Sequence, residues 1–197
     1  MNKRSGIESR KKIINAAMDV FSGRGYAEAN IRDIAKKAGI SIGSIYLYFK
    51  NKEELYKDII GDKRREIADM TAMSVQGAQS ATQALSNFLR VYIGYALKHK
   101  EFLLLHIREH GFTFGMAEKK QFFLTQRRLI EKILVKGIQT GEFRKCNARE
   151  TAKLILGSLR GIILSMALDD DSVVQPKMLD EFIFQGLLNI DKKGLKR

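Results

Sequence analysis

Apolar residues recur along this chain at three- and four-residue intervals, the spacing that gathers them on one face of a helix and predicts an all-helical protein. The pattern is most instructive between Asn30 and Lys52. Ile31, Ile34, Ala35 and Ala38 fall at i, i+3, i+4 and i+7, while Arg32, Asp33, Lys36 and Lys37 face elsewhere. Asn30 can cap this helix, and Asp33 lies in the first turn, where the helix dipole favours a negative charge. Gly39 follows the last periodic residue, a position suited to a left-handed stop, and Ser41 can cap the next helix. That second helix, Ile42 to Phe49, turns Ile45 and Phe49 inward one turn apart. Gly43, Ser44, Leu47 and Tyr48 are left on a contrasting face able to lie against a groove. Asn51 with Glu54 makes a capping-box-like start to a third helix, where the backbone N–H of Lys52 lies beside its own positive side chain as an anion site. Two short helices joined by a glycine turn match a helix-turn-helix, whose second helix enters the major groove of DNA.

The rest of the chain continues the same period. Residues 2 to 10 are polar and basic and read as a flexible arm whose lysine and arginines reach phosphate or minor groove. From about Ser9 to Arg24, Ile14, Ala17 and Phe21 form an inward stripe that Gly23 and Gly25 bring to an end. From Lys52 the pattern runs through Leu55, Ile59, Ile60 and Ile67 toward Met73, long enough to act as a lever. A further helix carries Leu85, Phe88, Leu89, Tyr92 and Ala96 up to His99 and Lys100. Glu101 to His110 is a short helix, followed by a loop, Gly111 to Gly115, that holds Phe112 and Phe114. A long helix runs from about Ala117 to Gly141. Asn147 with Glu150 starts another from Ala148 to about Leu168, apolar over more of its circumference than a surface helix would be. The last begins near Pro176 and presents Leu179, Phe182, Ile183 and Leu187. These final two helices could bury their surplus apolar faces against the same pair in a second subunit, with Gly157 and Gly161 allowing close approach. Ordinary packing within the chain is the alternative.

Charge sharpens the picture. The 197 residues carry a formal net charge of +13. Residues 1–65 hold 15 basic and 8 acidic side chains and the other 132 hold 20 and 14, so charge density is about twice as high near the helix-turn-helix. A solvated basic surface would look similar; beside this motif a polyanion-binding face is the better reading. Cys146 is the single cysteine, which excludes an intramolecular disulfide and suits a reducing compartment. No apolar segment follows the basic N-terminus as in a secretory signal, and the apolar run Ile155 to Leu168 is interrupted by Arg160 and too short to span a bilayer. A cytoplasmic protein without membrane contact is expected. One enzyme-like pattern occurs: His106, Glu109 and His110 match the H-x-x-E-H spacing of zinc peptidases. No partner signature offers a third ligand, and no phosphate loop, dinucleotide-binding glycine pattern or nucleophile elbow is present. The expectation is therefore no catalysis, no metal and no cofactor, with a regulatory metal on His106, His110 and His99 as the alternative.

The stretch IRDIAKKAGISIGSIYLYFKNKEEL, Ile31 to Leu55, resembles the signature of TetR/AcrR-family transcriptional regulators at nearly every position. The resemblance implies an all-helical homodimer: a three-helix DNA-binding domain over residues 1–51, then a larger helical domain over 52–197 that binds a small ligand and dimerises. Carried over by position, its DNA contacts fall on Asn30, Arg32, Ile42, Gly43, Ser44, Tyr46, Leu47, Tyr48 and Lys52. Asn30 stands where threonine is common and keeps a capping oxygen. Ile42 stands where a long polar or basic residue is common, so a hydrogen bond is replaced by possible contact with a thymine methyl. Tyr92, Phe102, His106, His110, Phe112 and Phe123 are the candidate lining of an apolar or aromatic effector's pocket, and Gly157, Gly161, Leu179 and Phe182 the candidate dimer interface. The implied function is a ligand-responsive regulator, foremost a repressor, released from a palindromic operator on double-stranded DNA by its effector.

Overall fold

The structure, a computed structural model, describes residues 3–110, 115–166 and 175–188. Among these, nine helices follow one another: α1 (Lys3–Glu28), α2 (Ile31–Ala38), α3 (Ile42–Tyr46), α4 (Lys52–Gln76), α5 (Ala81–Lys98), α6 (Lys100–His110), α7 (Met116–Gln139), α8 (Ala148–Ser165) and α9 (Pro176–Leu187). No strand is present among the described residues beyond one isolated bridge between Phe143 and Leu188. The protein is all-α, as the periodicity predicts.

The chain folds into two compact units. The first comprises Met1–Arg64 with His99–Gly115, the second Arg65–Lys98 with Met116–Arg197. The first therefore reaches past residue 51: it takes the opening turns of α4 and adds α6. Burial explains this. Leu55, Tyr56 and Ile59 of α4 and Phe102 and Leu105 of α6 share one core with Ile13, Ala17 and Phe21 of α1, Ile34 of α2, Ile45 of α3, and Phe49. Tyr56 is fully enclosed, edge-on to Phe21 at 5.3 Å between ring centroids and 6.1 Å from Phe102.

Three boundaries differ from expectation. The basic segment read as an arm is helical from Lys3, and Arg10 is committed inside the unit. Its guanidinium donates to Asp58 at 2.8 Å and Asp62 at 3.1 Å and lies 5.6 Å from the Phe49 ring centroid. Gly23 does not stop α1; the break falls at Gly25 (φ 81°, ψ 161°), with a further turn reaching Glu28. The second helix of the motif is also shorter than its apolar spacing suggests: α3 ends at Tyr46, and the Tyr48 and Phe49 amides close the turn by donating to the Ile45 carbonyl at 2.9 and 3.0 Å.

In the second unit, α5, α7, α8 and α9 surround a core of Leu85, Phe88, Ile130, Leu134, Leu156 and Ile183. Glu142, between α7 and α8, closes the start of α5: its carboxylate accepts from the Ala81 and Thr82 amides at 3.0 and 2.9 Å and from the Thr82 and Thr140 hydroxyls at 3.0 Å. Burial pushes its pKa up, but these hydrogen bonds outweigh burial and hold it down to about 2. The Phe143 ring packs so closely on Gly137 that a Cβ there would overlap it.

Candidate nucleic-acid interface

The reading head is set by caps. Asn30 is extended (φ −126°, ψ 160°) and its side-chain oxygen accepts from the Asp33 amide at 2.9 Å. Asp33 in turn is held by the Asn30 amide group at 2.8 Å and by Arg24 at 2.6 Å. Gly39 adopts the left-handed conformation (φ 69°, ψ 33°), with its N–H returned to the carbonyls of α2 and the Ile40 N–H to Ala35 at 3.1 Å. The chain then enters α3 through Ser41, whose hydroxyl accepts from the Ser44 amide at 3.1 Å and lies 2.8 Å from the Ser44 hydroxyl. The Asn51 side chain accepts from the Glu54 amide at 2.8 Å to begin α4, and Glu54 reaches back to the Lys50 amide at 2.5 Å.

Within this frame α3 has two contrasting sides. Ile45 and Phe49 are fully buried, whereas Ile42, Tyr46 and Leu47 are 39%, 52% and 75% exposed. Gly43 is exposed beside them, and Ser44 and Tyr48 are half-buried. Asn30 and Arg32 are exposed at the start of α2. Eight of the nine residues proposed to meet DNA thus lie at or near the surface of this segment with side chains or backbone open to solvent.

Lys52 is the exception. Its ammonium donates to the carbonyls of Tyr26 at 2.7 Å, Ala27 at 3.2 Å and Ala29 at 2.9 Å, and stands 4.5 Å from the Tyr26 ring centroid. An ammonium has three N–H donors, and all three are engaged. The expectation that this side chain is held ready for a phosphate is therefore corrected: it binds carbonyls in the last turn of α1 and at Ala29 just beyond it. The two glycines signal the end of α1, but nothing local says which cation reaches its last carbonyls. Arg24 and Lys37 are likewise paired, with Asp33 at 2.6 Å and Asp19 at 3.1 Å. Arg32, Lys36 and Lys50 are exposed cations of the segment from α2 to the start of α4.

The candidate effector residues separate. Phe102 and His106 belong to the first unit, where His106 is buried with Nδ1 3.0 Å from the Tyr56 hydroxyl. Tyr92 and Phe123 belong to the second. Tyr92 stacks on Phe88 at 5.7 Å, and Phe123 lies beneath the Arg160 guanidinium at 4.3 Å. Burial pushes the Tyr92 phenol pKa up, against the charge of Arg160. Sequence reasoning saw Arg160 only as an interruption of an apolar run; the cation over Phe123 is a residue it missed. His110 lies in α6, but its side chain, like Phe112, falls outside the described residues.

Of the candidate interface residues, Gly157 and Gly161 are exposed with no atom within 4 Å of an added Cβ, and Phe182 is 73% exposed. Leu179 is corrected: at 4% exposure it joins Ile183 and Leu187 on the inward stripe of α9. Met178 and Phe182 make the outward stripe, and Leu154 of α8 is 72% exposed.

Comparison with known proteins agrees with this geometry. Residues 13–59 match the family model described as bacterial regulatory proteins, tetR family. The chain is 24% identical over 184 residues to the fatty acid metabolism regulator protein of Bacillus subtilis (strain 168), covering 90% of this chain and 95% of that protein. Its fold superposes on the transcriptional regulator FadR from Bacillus subtilis, solved in complex with stearoyl-CoA, with a TM-score of 0.73, 22% identity and coverage of 89% and 98%. The SmeT–triclosan complex gives a TM-score of 0.75 at 16% identity, covering 96% of this chain and 95% of that one. A helix-turn-helix head with an exposed short reading helix defines a DNA-binding transcriptional regulator. Over residues 13–59 the chain carries the DNA-binding segment of the TetR family. No helix among the described residues is long and apolar enough to cross a membrane.

Proposed function

We propose that the protein is a ligand-responsive repressor that binds a palindromic operator as a homodimer, one α3 from each subunit entering successive major grooves. The observation that carries this reading is the split of α3 into a buried side, Ile45 with Phe49, and a solvent side, Ile42, Gly43, Tyr46 and Leu47. Asn30, Arg32, Tyr46 and Tyr48 position the head on the sugar-phosphate backbone, and the remaining α3 residues meet base edges. The outward apolar residues Leu154, Met178 and Phe182, with Gly157 and Gly161, support a subunit contact through α8 and α9.

The effector of this reading is apolar or aromatic. Relatives named as a fatty acid regulator, as a stearoyl-CoA complex and as a triclosan complex support that chemistry. Tyr92 and Phe123 of the second unit are the residues favoured to touch it, with Arg160 beside Phe123 able to face a negative head group. A ligand releases DNA only if it prefers the released arrangement over the bound one.

The test is selection of bound fragments from the source genome by the purified protein at near-physiological salt, followed by footprinting. A common two-fold site, released by stearoyl-CoA or triclosan at micromolar levels, is the expected result. Fragments with no common site would remove the operator-specific reading. A site unaffected by either compound would remove the effector class.

A further inference from the structure

The solvent side of α3 is unusual in what it lacks. From Ser41 to Leu47 the chain reads SIGSIYL, with no arginine, lysine, asparagine or glutamine. Those side chains make the bidentate contacts that single out guanine or adenine in the major groove. The two serine hydroxyls hydrogen-bond each other and Ser41 also accepts from the Ser44 amide, which leaves one hydroxyl proton between them for a base edge. Apart from that single hydroxyl and the phenols of Tyr46 and Tyr48, what this segment offers the groove is aliphatic: Ile42, and Leu47 at three-quarters exposure. An apolar surface is stabilised by an apolar partner, and on the major-groove edges of the four base pairs the one such group is the thymine C5-methyl.

Gly43 points the same way. Its backbone is not left-handed, and a Cβ built there would meet no atom nearer than the Ser41 hydroxyl oxygen at 3.8 Å, an ordinary contact. Packing within the chain does not require glycine at this position, yet glycine inside a helix is unfavourable. Close approach of another molecule to the α3 backbone accounts for it. The exposed Arg32, Lys36 and Lys50 can meet phosphates, contacts that position a protein without reading sequence.

We propose that α3 reads its operator by methyl contact: Ile42 and Leu47 each seat against a thymine C5-methyl, and Gly43 lets the groove edge come against the helix backbone. The inference rests on α3 being the reading helix. It assigns thymine, rather than guanine, as the base that carries sequence information at this helix.

Uracil differs from thymine at that methyl alone. The full-length protein is used to enrich sites from a random duplex library, and the enriched site is then remade with uracil in place of each thymine. Burial of one methyl is worth about fourfold in affinity, so two contacts per half-site predict a loss of roughly sixteenfold per half-site. The loss should shrink to about fourfold per half-site in Ile42→Ala and in Leu47→Ala, and toward none in the double variant, all confirmed folded by their melting curves; altered flexibility of uracil DNA would penalise the variants as much as the parent. Equal affinity for thymine and uracil sites, or a uracil penalty unchanged in both variants, overturns methyl readout while leaving α3 as a DNA-binding helix. Enrichment of no common site from the thymine library overturns the regulator reading and this inference with it.

Discussion

Gly43→Ala sets folding and DNA binding against each other at a single atom. In the folded chain the new methyl has room: the nearest atom is the Ser41 hydroxyl oxygen at 3.8 Å, and the backbone is one that alanine adopts freely. Alanine in place of a helical glycine removes conformational freedom from the unfolded chain and is worth about 0.5–1 kcal/mol. For a unit of this size that corresponds to a rise of about 2–8 °C in its melting transition. At the DNA face the same methyl stands where the groove edge is proposed to approach. Inserting a carbon into a filled contact typically costs about 1–3 kcal/mol, or roughly five- to more than a hundredfold in affinity. Thermal melting by circular dichroism reads the first effect, and fluorescence anisotropy on the enriched duplex reads the second. A variant that melts higher and binds equally well would take Gly43 out of the interface. One that melts lower would refute the claim that the chain itself leaves room for a side chain.

Four other perturbations address particular contacts. Lys52→Met keeps the stem but removes three hydrogen bonds to the carbonyls of Tyr26, Ala27 and Ala29, and should lower first-unit stability by about 2 kcal/mol in denaturant titrations. The dependence of DNA affinity on salt should not change, whereas loss of a phosphate contact would reduce that slope by about one. Glu142→Gln should melt below the parent at pH 7 by about 1 kcal/mol, solvent screening included. The folded-state pKa is depressed from 4.5 to about 2, so this stabilisation is fully present above about 4.5 and lost as pH falls toward 2; the two melting curves should converge over that window. Gly137→Ala forces a methyl into the buried Phe143 ring and should destabilise the second unit by about 1–3 kcal/mol, read by its melting transition. Phe182→Asp, at a site open within one chain, should leave that melting transition nearly unchanged yet shift sedimentation from dimer to monomer; a dimer that survives would move the subunit contact away from α9.

The nine helices among the described residues are legible in the sequence because each carries its own apolar stripe, and α2, α7, α8 and α9 add a stop at Gly39 or Gly141 or a start at Asn30, Asn147 or Pro176. What is not legible lies in contacts between segments far apart in the chain. Arg10 reads as an arm residue because its partners, Asp58 and Asp62, are about fifty positions away. Lys52 reads as a phosphate ligand because local pattern cannot say that the carbonyls of Tyr26, Ala27 and Ala29, more than twenty positions earlier, lie within its reach. Periodicity also names apolar positions without saying which face inward when a helix has two apolar stripes, so Leu179 and Phe182 look alike until α9 is packed. The end of α3 shows a further limit, since the Ile45 and Phe49 spacing persists although the helix stops at Tyr46 and a turn carries Phe49 into the core.

The membership of α6 in the first unit constrains how an effector can act. The ligand-binding domain is proposed to begin at residue 52, yet Tyr56, Phe102 and His106 are packed with the helices that present α3. The buried hydrogen bond between the Tyr56 hydroxyl and His106 Nδ1 ties α4 to α6 inside that core. The chain leaves the first unit within α4 at Arg64, returns at His99 and leaves again after Gly115. If an effector is held by Tyr92 and Phe123 in the second unit, as proposed, the chain offers it three covalent crossings to the head, two of which are the ends of the segment that carries α6. Because a packed core switches between discrete arrangements instead of deforming smoothly, a ligand that shifts α6 must change the setting of Tyr56, and with it the core on which Ile45 and Phe49 seat the reading helix.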